Sequence, residues 1–409
     1  MLHSSKGGPM RLFVVLCLTL LSCGLVSEPL RADELQTAAG KTITGELLQI
    51  EQNRFTIKSK AGTEEIPATE IVRVQLDPVD KLPPSGGLLI LANGDRLHAE
   101  ILRAAEEALV IRLTACPRLD ELKVPLETIR AAYFRWPRAT HARNRLIRQL
   151  EQTVKKTDLF YLKNGDYLEG EFLGFDEGGF QFESAAGETT VPRSGIAYFY
   201  FNPELIAFPQ PEQLHYQVTL TDGSRVTVST LSLNESRLRA RTLFGADIIC
   251  ERDRLAAVTP RGGRVVPLSE LEPSEYRFTP YLSRKWKWQR NQNVLSGPMI
   301  SGEQYFDSGL GMHSAAELHY QLDGQYAAFE TCVGLDDSAG QRASVEVQIL
   351  VDGKPVFQRE VARHSTEIVK VPRIDLTGAQ QLVLKVGFGK NADIEDHLNW
   401  CRPVLIKKP

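Results

Sequence analysis

No stretch of this 409-residue chain stays apolar for the ~20 residues that a membrane-spanning helix needs; the run LFVVLCLTLL, residues 12–21, falls short of it. A basic stripe is missing as well. The 48 lysines and arginines are scattered among 51 acidic residues for a net charge of -3, which argues against a nucleic-acid partner. Catalytic signatures are absent too. There is no G-x-S-x-G, no H-E-x-x-H and no phosphate loop, and the eight histidines lie far apart, so no enzymatic activity is expected. Low hydrophobicity, the mark of disorder, is also absent: at 42% hydrophobic residues the chain can bury real cores.

The short apolar run follows Lys6 and Arg11, the order of a secretory signal. Residues 1–32 are therefore expected to be an export signal cut after Ala32, with a periplasmic or extracellular product. LLSC, residues 20–23, supports a second reading in which Cys23 becomes a lipid anchor. Loss of Cys17 and Cys23 leaves Cys116, Cys250, Cys332 and Cys401, an even number in an oxidising compartment. Spacing alone does not say how they pair.

Four segments then share one plan. They open with AAGKTITGELLQI, LANGDRLHAEILR, LKNGDYLEGEFLG and LTDGSRVTVSTLS, and close on EEIPATEIVRVQL, LKVPLETIRAAYF, TTVPRSGIAYFYF and DIICERDRLAAVT. Gly40 to Pro67, Gly165 to Pro192 and Gly223 to Cys250 each span 27 residues, and Gly94 to Pro125 spans 31. The repeats are placed at 35–77, 88–136, 158–202 and 214–262, with a helical linker at 137–157 where Leu146, Leu150 and Val154 have helical spacing. Short alternating strands with Asn-Gly or Asp-Gly turns suit small antiparallel barrels. In pattern the units resemble Sm-like barrels, but the acidic balance and export speak against RNA and for a scaffold.

From about residue 272 to 409 the strands lengthen, and AAELHYQL, ASVEVQILV and QLVLKV alternate cleanly around Asp-Gly turns, the pattern of an antiparallel β-sandwich. The fold class expected is all-β, four barrel-like repeats followed by a jelly-roll sandwich. The ordered motifs YLSRKWKWQRNQNVLSGPMISGEQYFDSGLGMHSAAELHYQL, FETCVGLDDSAG, SVEVQILVDGKPVF, DLTGAQQLVLKV and DIEDHLNW resemble the NPCBM family of carbohydrate-binding modules over residues ~276–408.

That resemblance implies a jelly roll that binds galactose-type sugars and often a calcium ion. Aromatic rings stack on the apolar face of a pyranose while fixed polar groups take its hydroxyls. The expected sugar contacts are accordingly Trp286, Trp288, His313, His397, Asn399 and Trp400, although Trp400 also reads as a core residue and His313 as the pin of a bend made by the glycines of GLGMHS. Asp336 and Asp337 of GLDDSAG and Asp396 of DIEDHLNW, which also supplies Asp393, Glu395 and Asn399, are the candidate calcium ligands, gathered from separate loops. The resemblance sets the loops beside Cys332 and Cys401 together, so a disulfide between them is expected. Arg402 stands where the family leads one to expect an acidic residue. The partner expected is a glycan or polysaccharide; the alternative is a structural role at the cell envelope with a protein partner.

Overall fold

The computed structural model describes residues 32–79, 86–139, 142–143, 145–146, 149–150, 156–211, 213–281, 283, 285–363 and 368–409. The expected export signal therefore lies outside the described residues except for Ala32, as does most of the expected linker helix. The described part of that linker is helical at Ala142, Arg143, Arg145, Leu146, Gln149 and Leu150. Leu150 is buried in one cluster with Tyr133, Trp136, Leu159 and Tyr200.

Each repeat folds the same way. In the first, Asp33–Thr37 pairs with both Thr42–Glu51 and Ile71–Gln75, and Thr42–Glu51 pairs on with Arg54–Ser59, which pairs with Gly62–Pro67. Strand order is thus fifth, first, second, third, fourth, and it recurs in the other three. The long second strand carries a register shift at the same point each time: Leu47/Gln49, Ile101/Arg103, Phe172/Gly174 and Val228/Thr230. Such a bulge bends the strand and lets a five-stranded sheet curl over its own apolar face. Gly40, Gly94, Gly165 and Gly223 turn the first hairpin at φ of 84–97°, a backbone region that favours glycine.

The units do not keep separate cores. Leu255–Arg261 of the fourth repeat pairs with Ile71–Gln75 of the first, and Ile129–Tyr133 of the second pairs with Ile196–Tyr200 of the third. One apolar cluster accordingly runs from Leu35 to Val258 through all four repeats.

The sandwich faces two sheets across a core that holds Leu310, Leu318, Phe329, Val347, Leu384, Trp400 and Leu405. One sheet runs Gln289–Arg290, Gly309–Met312, Leu398–Lys407, Tyr326–Leu335 and Val369–Lys370; the other runs Glu275–Phe278, Ala316–Gln321, Gln381–Phe388, Ser344–Val351 and Lys354–Ala362. Val265–Pro267 adds to the first sheet by pairing with Val404–Ile406, so the sandwich begins before the expected residue 272. The glycines of GLGMHS make no bend. Gly309 and Gly311 lie within a strand, and a Cβ there would meet the Trp400 carbonyl oxygen and the Gln292 carbonyl oxygen, each at 2.4 Å. Close backbone approach, rather than a turn, is what requires glycine at both.

Repeats and sandwich meet at a buried ion cluster. Asp307 from the sandwich accepts from Arg73 at 2.6 Å and from the Thr219 hydroxyl at 3.0 Å, Arg402 stands 3.5 Å away, and Arg225 donates to the Asp307 carbonyl oxygen. Burial alone would raise the Asp307 pKa, but the charges of Arg73 and Arg402 outweigh it and hold the carboxyl far below its usual range. Arg402 also lies over the Phe306 ring at 4.9 Å.

Candidate functional site

At one end of the sandwich a cavity of about 270 Å³ is lined by Trp286, Leu295, His313, Asp393, Glu395 and His397. Four stretches of chain build it, Leu295 coming from the loop between Gln289–Arg290 and Met299–Ser301. The extended segment before Gln289–Arg290 brings Trp286, and Tyr276 fixes that segment by donating its hydroxyl to the Trp286 carbonyl at 2.8 Å. His313 directly follows the Gly309–Met312 strand. The loop between Gln381–Phe388 and Leu398–Lys407 brings the remaining polar groups.

The indole of Trp286 and the imidazole of His313 are stacked, 4.4 Å apart at 10°. His397 stands edge-on to Trp286 at 6.0 Å and lies 6.1 Å from His313. Beside this ring cluster, Asp393 and Glu395 supply carboxylate acceptors. Positive φ at Ala392 (59°) and Glu395 (54°) twists the loop, and a backbone bond from His397 N to Glu395 O at 2.8 Å tightens it. The following residue, Asp396, turns inward instead. It is fully buried and accepts from Ser344 N at 3.1 Å. Burial raises its pKa to about 6 against the hydrogen bonds of Ser314 and Ser344.

Of the expected sugar contacts, Trp286, His313 and His397 converge on the cavity. Trp288 does not line it. That ring packs on the sandwich core with Arg290 at 5.3 Å over its face. Trp400 and Asn399 are corrections: both are fully buried. Trp400 is a core side chain, and Asn399 donates to Ser301 Oγ at 3.0 Å and to Asp336 Oδ2 at 2.8 Å. Leu295 was not foreseen, and Asp393 and Glu395 were foreseen only as candidate oxygen ligands.

Two of the three expected calcium ligands, Asp336 and Asp337, are engaged by donors of the protein itself, while Asp396 accepts from Ser344 N on one oxygen. Asp336 accepts from Asn293 Nδ2, Ser338 N and Ser338 Oγ on one oxygen and from Ile300 N and Asn399 Nδ2 on the other. Both oxygens thus accept hydrogens from the protein. Asp337 accepts from Gly302 N, Glu303 N and Arg363. Among the described residues no three His, Cys, Asp or Glu side chains are grouped to hold a metal ion. What Asp336 does is carry the cavity wall: its backbone N–H donates to the His397 carbonyl at 2.8 Å, and its partner Ser338 reaches His397 Nδ1 at 3.5 Å.

Cys332 and Cys401 face each other across the sandwich ladder, and both are free thiols, as are Cys116 and Cys250. Arg402, which departs from the acidic residue that the resemblance leads one to expect, is taken up by Asp307 at the junction.

Residues 264–406 match the NPCBM/NEW2 domain. A curated protein of Renibacterium salmoninarum, provisionally named an endo-alpha-N-acetylgalactosaminidase, is 26% identical over 129 residues, which cover 29% of this chain and 8% of that protein. The chain thus spans only a small part of that relative's length. Among solved structures, the CBM51 module of Clostridium perfringens GH95, in complex with methyl-galactose, is 27% identical and covers 34% of this chain and 99% of its own, at a TM-score of 0.31. The tandem CBM51 modules of a family 98 glycoside hydrolase from Streptococcus pneumoniae are 11% identical and cover 92% of this chain and 88% of theirs, at a TM-score of 0.29.

Proposed function

We propose, from the NPCBM/NEW2 domain at residues 264–406, that the chain is an exported, non-catalytic protein that binds glycan in the Trp286 cavity, on a base formed by the four repeats. The observation that carries this reading is the pairing of the Trp286–His313 stack with Asp393 and Glu395 around one cavity. A pyranose has an apolar face that an aromatic ring covers and hydroxyls that need fixed acceptors, and both halves of that requirement are met within six residues. Binding of a galactose-type sugar is the form favoured, since the methyl-galactose complex belongs to a CBM51 module.

The departure of Arg402 and Cys401 from the family pattern favours the alternative, a protein partner at the cell envelope. Arg402 is bound to Asp307 and Cys401 packs with Met299 and Phe306, so neither bears on the cavity. The reading is tested by screening the full chain against a glycan array. Retention of galactose-terminated glycans by the wild type, lost in Trp286→Ala, supports it; an array with no glycan retained above background overturns it.

A further inference from the structure

Two large aromatic side chains stand exposed near the cavity yet take no part in its lining. Tyr281 is 56% and Phe388 38% exposed, and their rings pair edge to face, 5.6 Å apart at 73°. The sheet register places them. Phe278, Ala316 and Val386 form one row across three strands, and Thr279 N–H donates to the Ala315 carbonyl at 2.9 Å. Phe388, two residues past Val386, pairs with Val345; the chain neighbour of Val345, Ser344, donates its N–H to Asp396, beside Glu395 and His397 of the cavity. Phe388 also ends the strand from which the loop of Asp393, Glu395 and His397 departs. Tyr281 precedes Trp286 by five residues in the chain. Two of the chain segments that bring lining residues to the cavity, one carrying Trp286 and the other Asp393, Glu395 and His397, thus each carry one ring of the aromatic pair.

We propose that Tyr281 and Phe388 form a second sugar subsite, which takes the next pyranose ring of a glycan whose terminal sugar occupies the Trp286 cavity. An edge-to-face pair leaves the face of one ring uncovered by its partner, the geometry that stacks on an apolar sugar face. Continuity with the cavity is what selects a sugar as occupant over another apolar group. The inference rests on the glycan reading of the cavity and adds that the site is specific for chain length.

The test compares methyl galactoside with galactose-terminated di- and trisaccharides by calorimetry on the full chain, for wild type, Tyr281→Ala, Phe388→Ala and Tyr281→Phe. Wild type is expected to bind the best oligosaccharide more tightly than the methyl glycoside, by about two- to tenfold for one added ring contact. Each alanine variant removes that advantage and leaves the methyl glycoside affinity unchanged, while Tyr281→Phe, which keeps the ring, retains it. Thermal unfolding confirms that these exposed substitutions leave the protein folded. If wild type binds methyl galactoside but gains nothing from a longer glycan, or if the alanine variants keep the gain, the second subsite is wrong and the cavity reading stands. If wild type binds none of these sugars, both fall.

Discussion

Gly340 and Glu395 lie so close that a Cβ on Gly340 would stand 1.5 Å from Glu395 Oε2. The glycine is thus what leaves room for a cavity carboxylate. Gly340→Ala would push the carboxylate aside, at little cost in stability because the displaced atoms end a flexible side chain. Glycan affinity is expected to fall about tenfold, the scale of one hydrogen bond to a charged acceptor, with the melting temperature nearly unchanged. Titration and thermal unfolding of the same variant check both halves.

Asp307→Ala should act on the whole molecule. It strands Arg73 at a buried junction, and removal of one partner from such a pair costs about 3–5 kcal/mol. The expected result in chemical denaturation is a lower midpoint, with the sandwich separating from the repeats as an earlier transition. An unchanged single transition would show that the junction does not couple them. Because the folded Asp307 pKa is depressed, its contribution is present above the unfolded carboxylate range, near pH 4, and is lost as pH falls below it.

His98 governs a second acid response. It is buried between the second and fourth repeats and the Met299–Phe306 hairpin, and burial, then the charges of Arg96 and Arg143, lower its pKa to about 4. The unfolded chain takes up this proton near pH 6.5 and the folded chain does not, so stability is present above 6.5 and is lost as pH falls towards 4, by about 1.4 kcal/mol per unit. Asp396 opposes this. With its folded pKa raised to about 6, its contribution is present below about pH 4 and lost as pH rises through 6. The difference between wild type and His98→Gln across pH 4 to 7, followed by urea denaturation, isolates the histidine; parallel curves would contradict the assignment.

Cys332 and Cys401 are expected to bridge under mild oxidation without unfolding, because directly opposed antiparallel residues have Cα atoms about 4.5–5.5 Å apart, within disulfide range. Non-reducing peptide mapping after exposure to a glutathione redox buffer reads the result. Recovery of both cysteines as free thiols would contradict it.

The repeats and the sandwich strands were legible because alternation and Asx-Gly turns are local signals. The strand Leu398–Lys407 was the harder case. It is buried on both faces, with Trp400 in the sandwich core and Cys401 against Met299 and Phe306, so a motif tryptophan that looked like a rim residue has no open side. The two acidic loops were hard to read for a related reason. Asp336, Asp337, Asp393, Glu395 and Asp396 look alike in sequence, and only backbone twist and neighbouring donors decide that Asp393 and Glu395 line the cavity while Asp336 and Asp396 turn inward. The Asp307 junction had no local signal, since Arg73 and Asp307 are 234 positions apart.

The central claim is that Trp286 holds a sugar against the Asp393 and Glu395 carboxylates. Isothermal titration of the full chain with methyl galactoside, wild type beside Trp286→Ala, tests it most directly. The account predicts saturable one-to-one binding by wild type and a loss of at least about tenfold in the variant, which stays folded because the indole is only half-buried. Equal affinity in the two proteins, or no heat of binding to wild type at sugar concentrations of about 10 mM, where even a weak Kd of about 1 mM would register, would contradict it.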